Sequence, residues 1–123
     1  MGLEEAALLK VNRIDGYKTV AAVTNEYTLD LSTDYNFAIE TEDANAKEIV
    51  ISNVPSTANL IVQVSVKLTY TNAAAITHTL NGGTVAWKDA TTPTFVAGKK
   101  YILLYTSYDA GTTWLGASVG AWA

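Results

Sequence analysis

The sequence predicts an all-β protein, an antiparallel β-sandwich of the jelly-roll type. Residues 60–71, LIVQVSVKLTYT, alternate apolar and polar side chains over their whole length, which is the pattern of a strand with one buried face. Further alternating segments recur every ~8–12 residues between turn residues, a spacing typical of sandwiches and barrels. About eight strands in two sheets is the jelly-roll number. The 123 residues include no cysteine, so a single domain must be stabilised by its own core.

The amino-terminal part differs from the rest, which divides the chain into an arm at residues 1–18 and a sandwich domain at residues 19–123. The first eleven residues, MGLEEAALLKV, have the composition of a helix but are too few to be stable alone. They form either a short frayed helix or an arm that docks on a neighbour. The candidate anchor residues of such an arm are Leu3, Leu8, Leu9 and Val11.

The first half of the sandwich is predicted to contain four strands before the central one. An Asp-Gly turn precedes the first of them, and Pro55, which lacks an N–H group, ends the fourth. Tyr27, Leu29 and Leu31 should point inward, as should Phe37 and Ile39. The predicted strands cover residues 17–24, 27–31, 37–41 and 48–54.

The central strand, residues 60–71, has two distinct faces. Its inner row, from Leu60 to Tyr70, is apolar, whereas the other row contains small hydroxyl side chains and only one charge. A face with so little charge is expected where another subunit packs. The candidate oligomer interface therefore consists of Ile61, Gln63, Ser65, Lys67 and Thr69.

The second half is predicted to add four more strands. Asn81-Gly82-Gly83 has the residues of a type I′ hairpin turn, because glycine and asparagine tolerate positive φ. Val85 and Trp87 should share one face, and so should Ile76, His78 and Leu80. The predicted strands cover residues 76–80, 84–88, 101–108 and 113–123.

The charge of the chain excludes some partners. A net charge of −4 with only 8 Lys and Arg provides no basic footprint for nucleic acid. No apolar run approaches the ~20 residues of a membrane span. Charged residues make up 16% of the chain, below the usual ~25%. This deficit indicates a surface that is partly covered by other subunits.

No set of residues has the pattern of a catalytic or metal site. His78 is the only histidine and cysteine is absent, so zinc would lack its usual ligands. No nucleophile turn accompanies that histidine. The acidic residues are interpreted as solvated loop charges and not as a calcium or glycosidase site: Asp30, Asp34, Glu40, Glu42 and Asp43. We therefore expect no enzymatic activity, no metal and no cofactor.

Aromatic side chains are frequent after residue 70, which permits two interpretations. Trp87, Tyr101 and Tyr105 share faces with aliphatic residues and are best placed in the core or an interface. Exposed aromatic rings can instead stack on sugars. The candidates for such stacking are Trp114, Tyr108 and Trp122.

The carboxyl-terminal half resembles a recurrent pattern of tailed-bacteriophage virion proteins. The segment TVAWK is followed by TPT, then by GKKYILLYT, and finally by DAGTTW at residues 109–114. In the family a glycine-led strand ends at D-G-G-T-T-W or a close variant; here Ala110 replaces the first glycine. The resemblance extends over roughly residues 27–123. Asp109 is expected to accept backbone N–H bonds, Gly111 to supply a permissive φ, and Trp114 to cover the base of the hairpin.

The resemblance implies a non-enzymatic structural protein on the virion surface. Such domains occur as head-decoration, head-fibre and tail-fibre β-sandwiches, usually as homotrimers that bind capsid or tail proteins. A chain of this length has no room for a fibre shaft, which favours the decoration or head-fibre type. The alternative is a tail-fibre or receptor-binding module that recognises a host-surface glycan.

Overall fold

The computed structural model describes residues 16–80 and 83–123, and it confirms the all-β prediction. Nine strands form two sheets, and the described residues contain one 3₁₀ turn, Lys88–Ala90, and no α-helix. The predicted amino-terminal arm lies largely outside the described residues. The strands are β1 Lys18–Val20, β2 Glu26–Asp30, β3 Asn36–Glu40, β4 Lys47–Ser52, β5 Val62–Tyr70, β6 Ile76–Leu80, β7 Thr84–Trp87, β8 Lys99–Ser107 and β9 Thr113–Trp122.

The chain passes back and forth between the two sheets. One sheet has six strands in the order β1-β3-β5-β8-β9-β7, and the other has three in the order β2-β4-β6. The first six strands alternate between the sheets, and each of the strands β1 to β4 pairs with the strand two places further along the chain. Only β8 and β9, which follow one another in sequence, form a hairpin within one sheet.

The predicted antiparallel pairing is wrong for most of the strand pairs, and the jelly-roll topology is not confirmed. Among the described strands, five neighbouring pairs are parallel and two, β5–β8 and β8–β9, are antiparallel. A parallel pair requires a long crossover, which is usually a helix. Here the crossover is itself a strand of the opposite sheet, as β4 is between β3 and β5. The alternation of side chains is the same for both kinds of pairing, so the sequence does not distinguish them.

The core consists of the inner rows that the period-two pattern predicts. The inner row of β5 is buried from Val62 to Tyr70, as are Phe37 and Ile39 on β3. Tyr27, Leu29 and Leu31 contribute to the core from the opposite side, together with Ile49, Ile51 and Leu80. Leu60, in contrast, is 42% exposed because β5 begins only at Val62.

Two predicted elements differ in the structure, one in its length and the other in its strand pairing. The strand predicted at residues 17–24 is shorter in the structure, where β1 covers only Lys18–Val20; Thr24 and Asn25 adopt positive φ in the turn before β2. The hairpin predicted at residues 81–83 does not pair β6 with β7, since these strands belong to different sheets. Its first two residues lie outside the described part of the chain, and the Gly83 N–H donates to the Leu80 carbonyl over 2.8 Å.

Lys47 is a charged residue at a buried position, and its ammonium group ties two loops together. Its Nζ donates to the Asn45 carbonyl over 2.9 Å and to Asn25 Oδ1 over 3.3 Å, and it forms an ion pair with Asp43. Three acceptors match the three donors of the ammonium group, so the buried charge is fully hydrogen-bonded.

His78 lies in an aromatic cluster between the sheets, as its placement beside Ile76 and Leu80 predicts. Its ring packs edge-on against Trp87, with 5.0 Å between ring centroids, and against Tyr105, with 5.6 Å. Within the described residues, neither His78 Nε2 nor Tyr105 Oη has a hydrogen-bond partner. Burial therefore lowers the pKa of His78 from its ordinary value of 6.5 to about 4.

We predict that His78 makes the fold sensitive to mild acid. Between pH 6.5 and pH 4 the unfolded chain binds a proton that the folded chain does not, so the free energy of unfolding should fall as the pH decreases. The loss attributable to His78 is at most about 3 kcal/mol. Urea unfolding at pH 7, 5 and 4 measures it, and His78→Phe should show a shallower pH dependence. Identical pH dependences for the two proteins would contradict this assignment.

Candidate functional site

The outer face of the six-stranded sheet carries the predicted interface row. Gln63 and Lys67 are exposed there, and Ser65 and Thr69 are half-buried on the same face of β5. Ile61 precedes the strand and is exposed. The row is therefore accessible to a partner along the middle of the sheet.

Next to this row, the β8–β9 hairpin exposes a band of large apolar side chains, which we call the apolar stripe. Twelve large hydrophobic side chains are exposed in the described residues, and half of them belong to this hairpin and its end. Leu104 is 42% exposed and Trp122 is 49% exposed. Apolar side chains that are exposed side by side are candidates for an interaction surface. The stripe consists of Ile102, Leu104, Tyr108, Leu115, Val119 and Trp122.

Strand register brings these side chains together. Leu104 is paired with Ala117, and Ile102 with Val119. Lys67 of the predicted row is paired with Ile102, so row and stripe are continuous. A register shift next to Lys100 places Trp122 opposite that lysine, at one end of the stripe. Tyr108 follows β8 at the other end.

The outer face of the three-stranded sheet has a different character. In register across its strands lie Glu26, Glu48 and Thr77, and then Thr28, Val50 and Thr79. Its hydroxyl and carboxylate groups bond to one another, as the Thr28 hydroxyl does to Glu26 over 3.2 Å. This polar face has the composition of a solvated surface, so the two outer faces are not equivalent.

The turn from β8 to β9 has the geometry expected of the phage-like motif. Asp109 Oδ1 accepts the Thr113 N–H over 2.8 Å and the Ser107 hydroxyl over 2.9 Å, and these bonds lower the pKa of its carboxyl group. Gly111 has a φ of 84° and Ala110 a φ of 55°. The predicted roles of Asp109 and Gly111 in the turn are therefore confirmed.

Trp114 is a core residue and not a ligand-stacking residue, which corrects one of the stacking candidates. Its side chain is fully buried, and its Nε1 donates to the Leu80 carbonyl over 3.1 Å. Gly83 packs so closely on the same turn that a Cβ there would lie 2.2 Å from the Gly111 carbonyl oxygen. The turn is thus held against the end of β6, which fixes the Tyr108 end of the stripe.

The other two stacking candidates are exposed but do not form one platform. Tyr108 and Trp122 lie at opposite ends of the stripe, because Trp122 is paired with Lys100. Eight residues of strand separate these ends, or about 27 Å. A single sugar ring cannot contact both side chains.

A shallow groove lies at the Tyr108 end of the stripe. Its volume is about 460 Å³, within the range of ~300–1,000 Å³ typical of small-ligand pockets. Its lining is mainly apolar, and Gln63, Lys88 and Thr106 are its polar residues. It is lined chiefly by Gln63, Lys88, Leu104, Tyr108, Leu115 and Ala117, and we call it the Tyr108 groove.

The acidic residues considered in the sequence are spread among loops and strand ends. Asp30 accepts bonds from the Asn53 side chain and from Ser32, which lower the pKa of its carboxyl group to about 2. Glu42 accepts a bond from the Tyr27 hydroxyl, and Asp43 pairs with Lys47. In residues 16–80 and 83–123, no group of three or more potential ligand side chains is positioned to hold a metal ion.

Comparison with protein-family models, with curated proteins and with solved structures gives no match to this chain. In the described part of the chain, no helix has the length and apolar character needed to cross a membrane. The candidate anchor residues Leu3, Leu8, Leu9 and Val11 lie outside the described residues.

The predicted interface omitted the apolar stripe, although the sequence contains a signal for most of it. The run Tyr-Ile-Leu-Leu-Tyr on β8 is apolar on both faces, a pattern of strands that are covered on both sides. Tyr101, Leu103 and Tyr105 are the buried set, so Ile102 and Leu104 must point outward. The position of Trp122 depends on the register shift and has no comparable signal.

We predict that Ala110→Gly stabilises the protein by about 0.5–1 kcal/mol. A left-handed φ is strained for alanine and permitted for glycine, and this gain exceeds the entropic cost of the added freedom. Chemical denaturation measures the change. Ala97→Gly is the control, since Ala97 is an exposed loop residue without a positive φ and should gain nothing. Equal stabilities of the two variants would contradict the prediction.

Proposed function

We propose that this chain is a non-enzymatic structural protein of a tailed-bacteriophage particle, which self-assembles on the virion surface. In this proposal, the β-sandwich is a rigid domain that binds neighbouring subunits and catalyses no reaction. The proposal rests on the apolar stripe, in which large hydrophobic side chains of the β8–β9 hairpin are exposed in the isolated chain.

The size of this face fits contact with another copy. Its six strands, spaced about 4.8 Å apart and three to ten residues long, give a face of roughly 600 Å². A standard protein interface buries about 800 Å² of each partner. The outer face of the six-stranded sheet is therefore somewhat smaller than a standard interface but of the same order.

The composition of the face also favours a subunit interface over a solvated surface. Its apolar stripe is bordered by Lys67, Lys100 and Lys88, with the small residues Ser65 and Ala117 between them. An apolar centre within a polar border is the usual anatomy of protein interfaces.

The resemblance of residues 84–114 to phage virion proteins supports the biological setting. The turn at its end has the hydrogen bonds that the motif requires, with Asp109 as the acceptor. Attachment to the capsid or tail, and the homotrimer that the resemblance implies, belong to the same proposal.

A glycan-binding role has less support. It would require at least two coplanar exposed aromatic rings, whereas Trp114 is buried and Tyr108 and Trp122 lie at opposite ends of the stripe. A glycan array with the purified protein should give no hits.

We predict that Leu104→Lys weakens self-association at least about 100-fold, because a charge would be buried in the apolar centre of the interface. Light scattering behind size exclusion, and sedimentation over a range of concentrations, measure the dissociation constant. The fold should survive, since Leu104 is already half-exposed in the single chain.

The matched control is Thr77→Lys, which adds the same charge to the outer face of the three-stranded sheet. It should leave assembly unchanged. A wild-type protein that remains at 13.1 kDa at every concentration would contradict self-assembly. Its absence from purified particles of the phage that encodes it would contradict the virion location.

A further inference from the structure

The amino-terminal residues 1–15, which we call the leading segment, join the described domain beside the outer face of the six-stranded sheet. The Gly16 carbonyl accepts a bond from Asn36 Nδ2 over 3.4 Å, and Asn36 Oδ1 accepts the Ser65 hydroxyl over 2.6 Å. In the sheet register, Asn36 is paired with Ser65, and Ser65 with Leu104 of the apolar stripe. The leading segment therefore leaves the domain at the level of the stripe.

The leading segment contains apolar side chains that need a surface on which to pack. These are the candidate anchor residues Leu3, Leu8, Leu9 and Val11. A segment of this length gains its stability from packing an apolar face and not from its own backbone bonds. The apolar stripe offers such a surface, and the Tyr108 groove, with its volume of about 460 Å³, has room for aliphatic side chains.

The distribution of charge favours the leading segment over a second stripe as the occupant. Strands β5, β7, β8 and β9 contain lysines and no carboxylate, and Lys67 and Lys100 are exposed. Two stripes that faced each other would bring like charges together, which disfavours binding. The leading segment instead has Glu4 and Glu5 between its apolar residues. Its carboxylates are complementary to the lysines that border the stripe.

The basic residues of the leading segment lie nearer to the domain. Lys10 and Arg13 are closer in sequence to Gly16, whose carbonyl bonds to Asn36. Asp34 lies two residues before that asparagine. The acidic part of the segment is thus the part that extends away from its own copy.

We propose that the occupant of the apolar stripe is the leading segment of a neighbouring copy of this chain. This inference rests on the proposed self-assembly and identifies the contact that produces it. The segment of the first copy covers the stripe of the second, and the same contact repeats between the second and the third. Because the two contacting surfaces differ, the arrangement closes as a ring, and a ring of three is the proposed homotrimer.

The leading segment is long enough for this exchange. Between Leu9 and Gly16 the extended chain spans up to about 23 Å. Packed β layers lie about 10 Å apart. The segment can therefore leave its own sheet edge and place Leu8 and Leu9 on the adjacent copy.

The experiment uses cysteine variants of the full chain, which has no native cysteine. Leu8→Cys and Leu9→Cys are each mixed with Leu104→Cys and treated with a mild oxidant, and every variant is also treated alone. We expect a disulfide-linked pair from at least one mixture and none from any variant alone. Thr77→Cys, on the outer face of the three-stranded sheet, is the matched control and should not link to the leading segment.

A chain with both substitutions, Leu9→Cys and Leu104→Cys, tests the ring. Oxidation should give three linked chains on a gel without reducing agent. A disulfide within a single chain would show that the leading segment covers its own stripe, and this would overturn the inference.

Other results separate the inference from the proposed function. Linkage of Leu104→Cys to itself would establish a contact between two stripes, so the inference would be wrong and self-assembly would remain. The same conclusion follows if the wild type associates but neither mixture links. If nothing links and the wild type stays at 13.1 kDa at every concentration, the proposed function fails together with the inference.

Discussion

The pleat of the β8–β9 hairpin is the constraint on which the rest of the structure depends. Neighbouring residues of a strand point to opposite faces, so the burial of Tyr101, Leu103 and Tyr105 against the second sheet forces Ile102 and Leu104 outward. On β9, the burial of Trp114 likewise forces its neighbour Leu115 to point outward. The β8–β9 hairpin therefore carries large apolar side chains on both faces, and the fold of one chain buries only one of these faces. The proposed assembly is the covering of the other face.

Much of the inner architecture could be predicted from the sequence, because it depends on local alternation. The inner row of β5, the inward residues of β2 and β3, and the Asp109 turn each follow from a pattern within a few residues. Strand pairing could not be predicted, because the choice between parallel and antiparallel neighbours depends on which sheet the chain enters after each turn. Two positive-φ residues, Thr24 and Asn25, form the turn after β1, and β2 then enters the opposite sheet.

The proposed interaction surface was predictable only in part. The weakly charged row of β5 lies on the same face as Ile102 of the stripe, with which Lys67 is paired. Trp114 was open to a binding role in the sequence because it follows a turn, yet its indole N–H bonds to Leu80 inside the core. The separation of Tyr108 from Trp122 required the register of β8 against β9. The burial of Trp114 and the register of β8 against β9 depend on residues far apart in sequence, so a segment of a few residues cannot predict them.

The most direct test of the account is side-chain footprinting with hydroxyl radicals, at concentrations below and above the onset of association. We predict that Leu104, Tyr108, Leu115 and Trp122 become protected together as the concentration rises. Val23, which is 74% exposed in the turn between β1 and β2, should remain reactive throughout. Equal reactivity of the stripe at all concentrations, or protection that spreads to Val23 and the three-stranded sheet while the stripe stays reactive, would contradict the claim that this face is an interface.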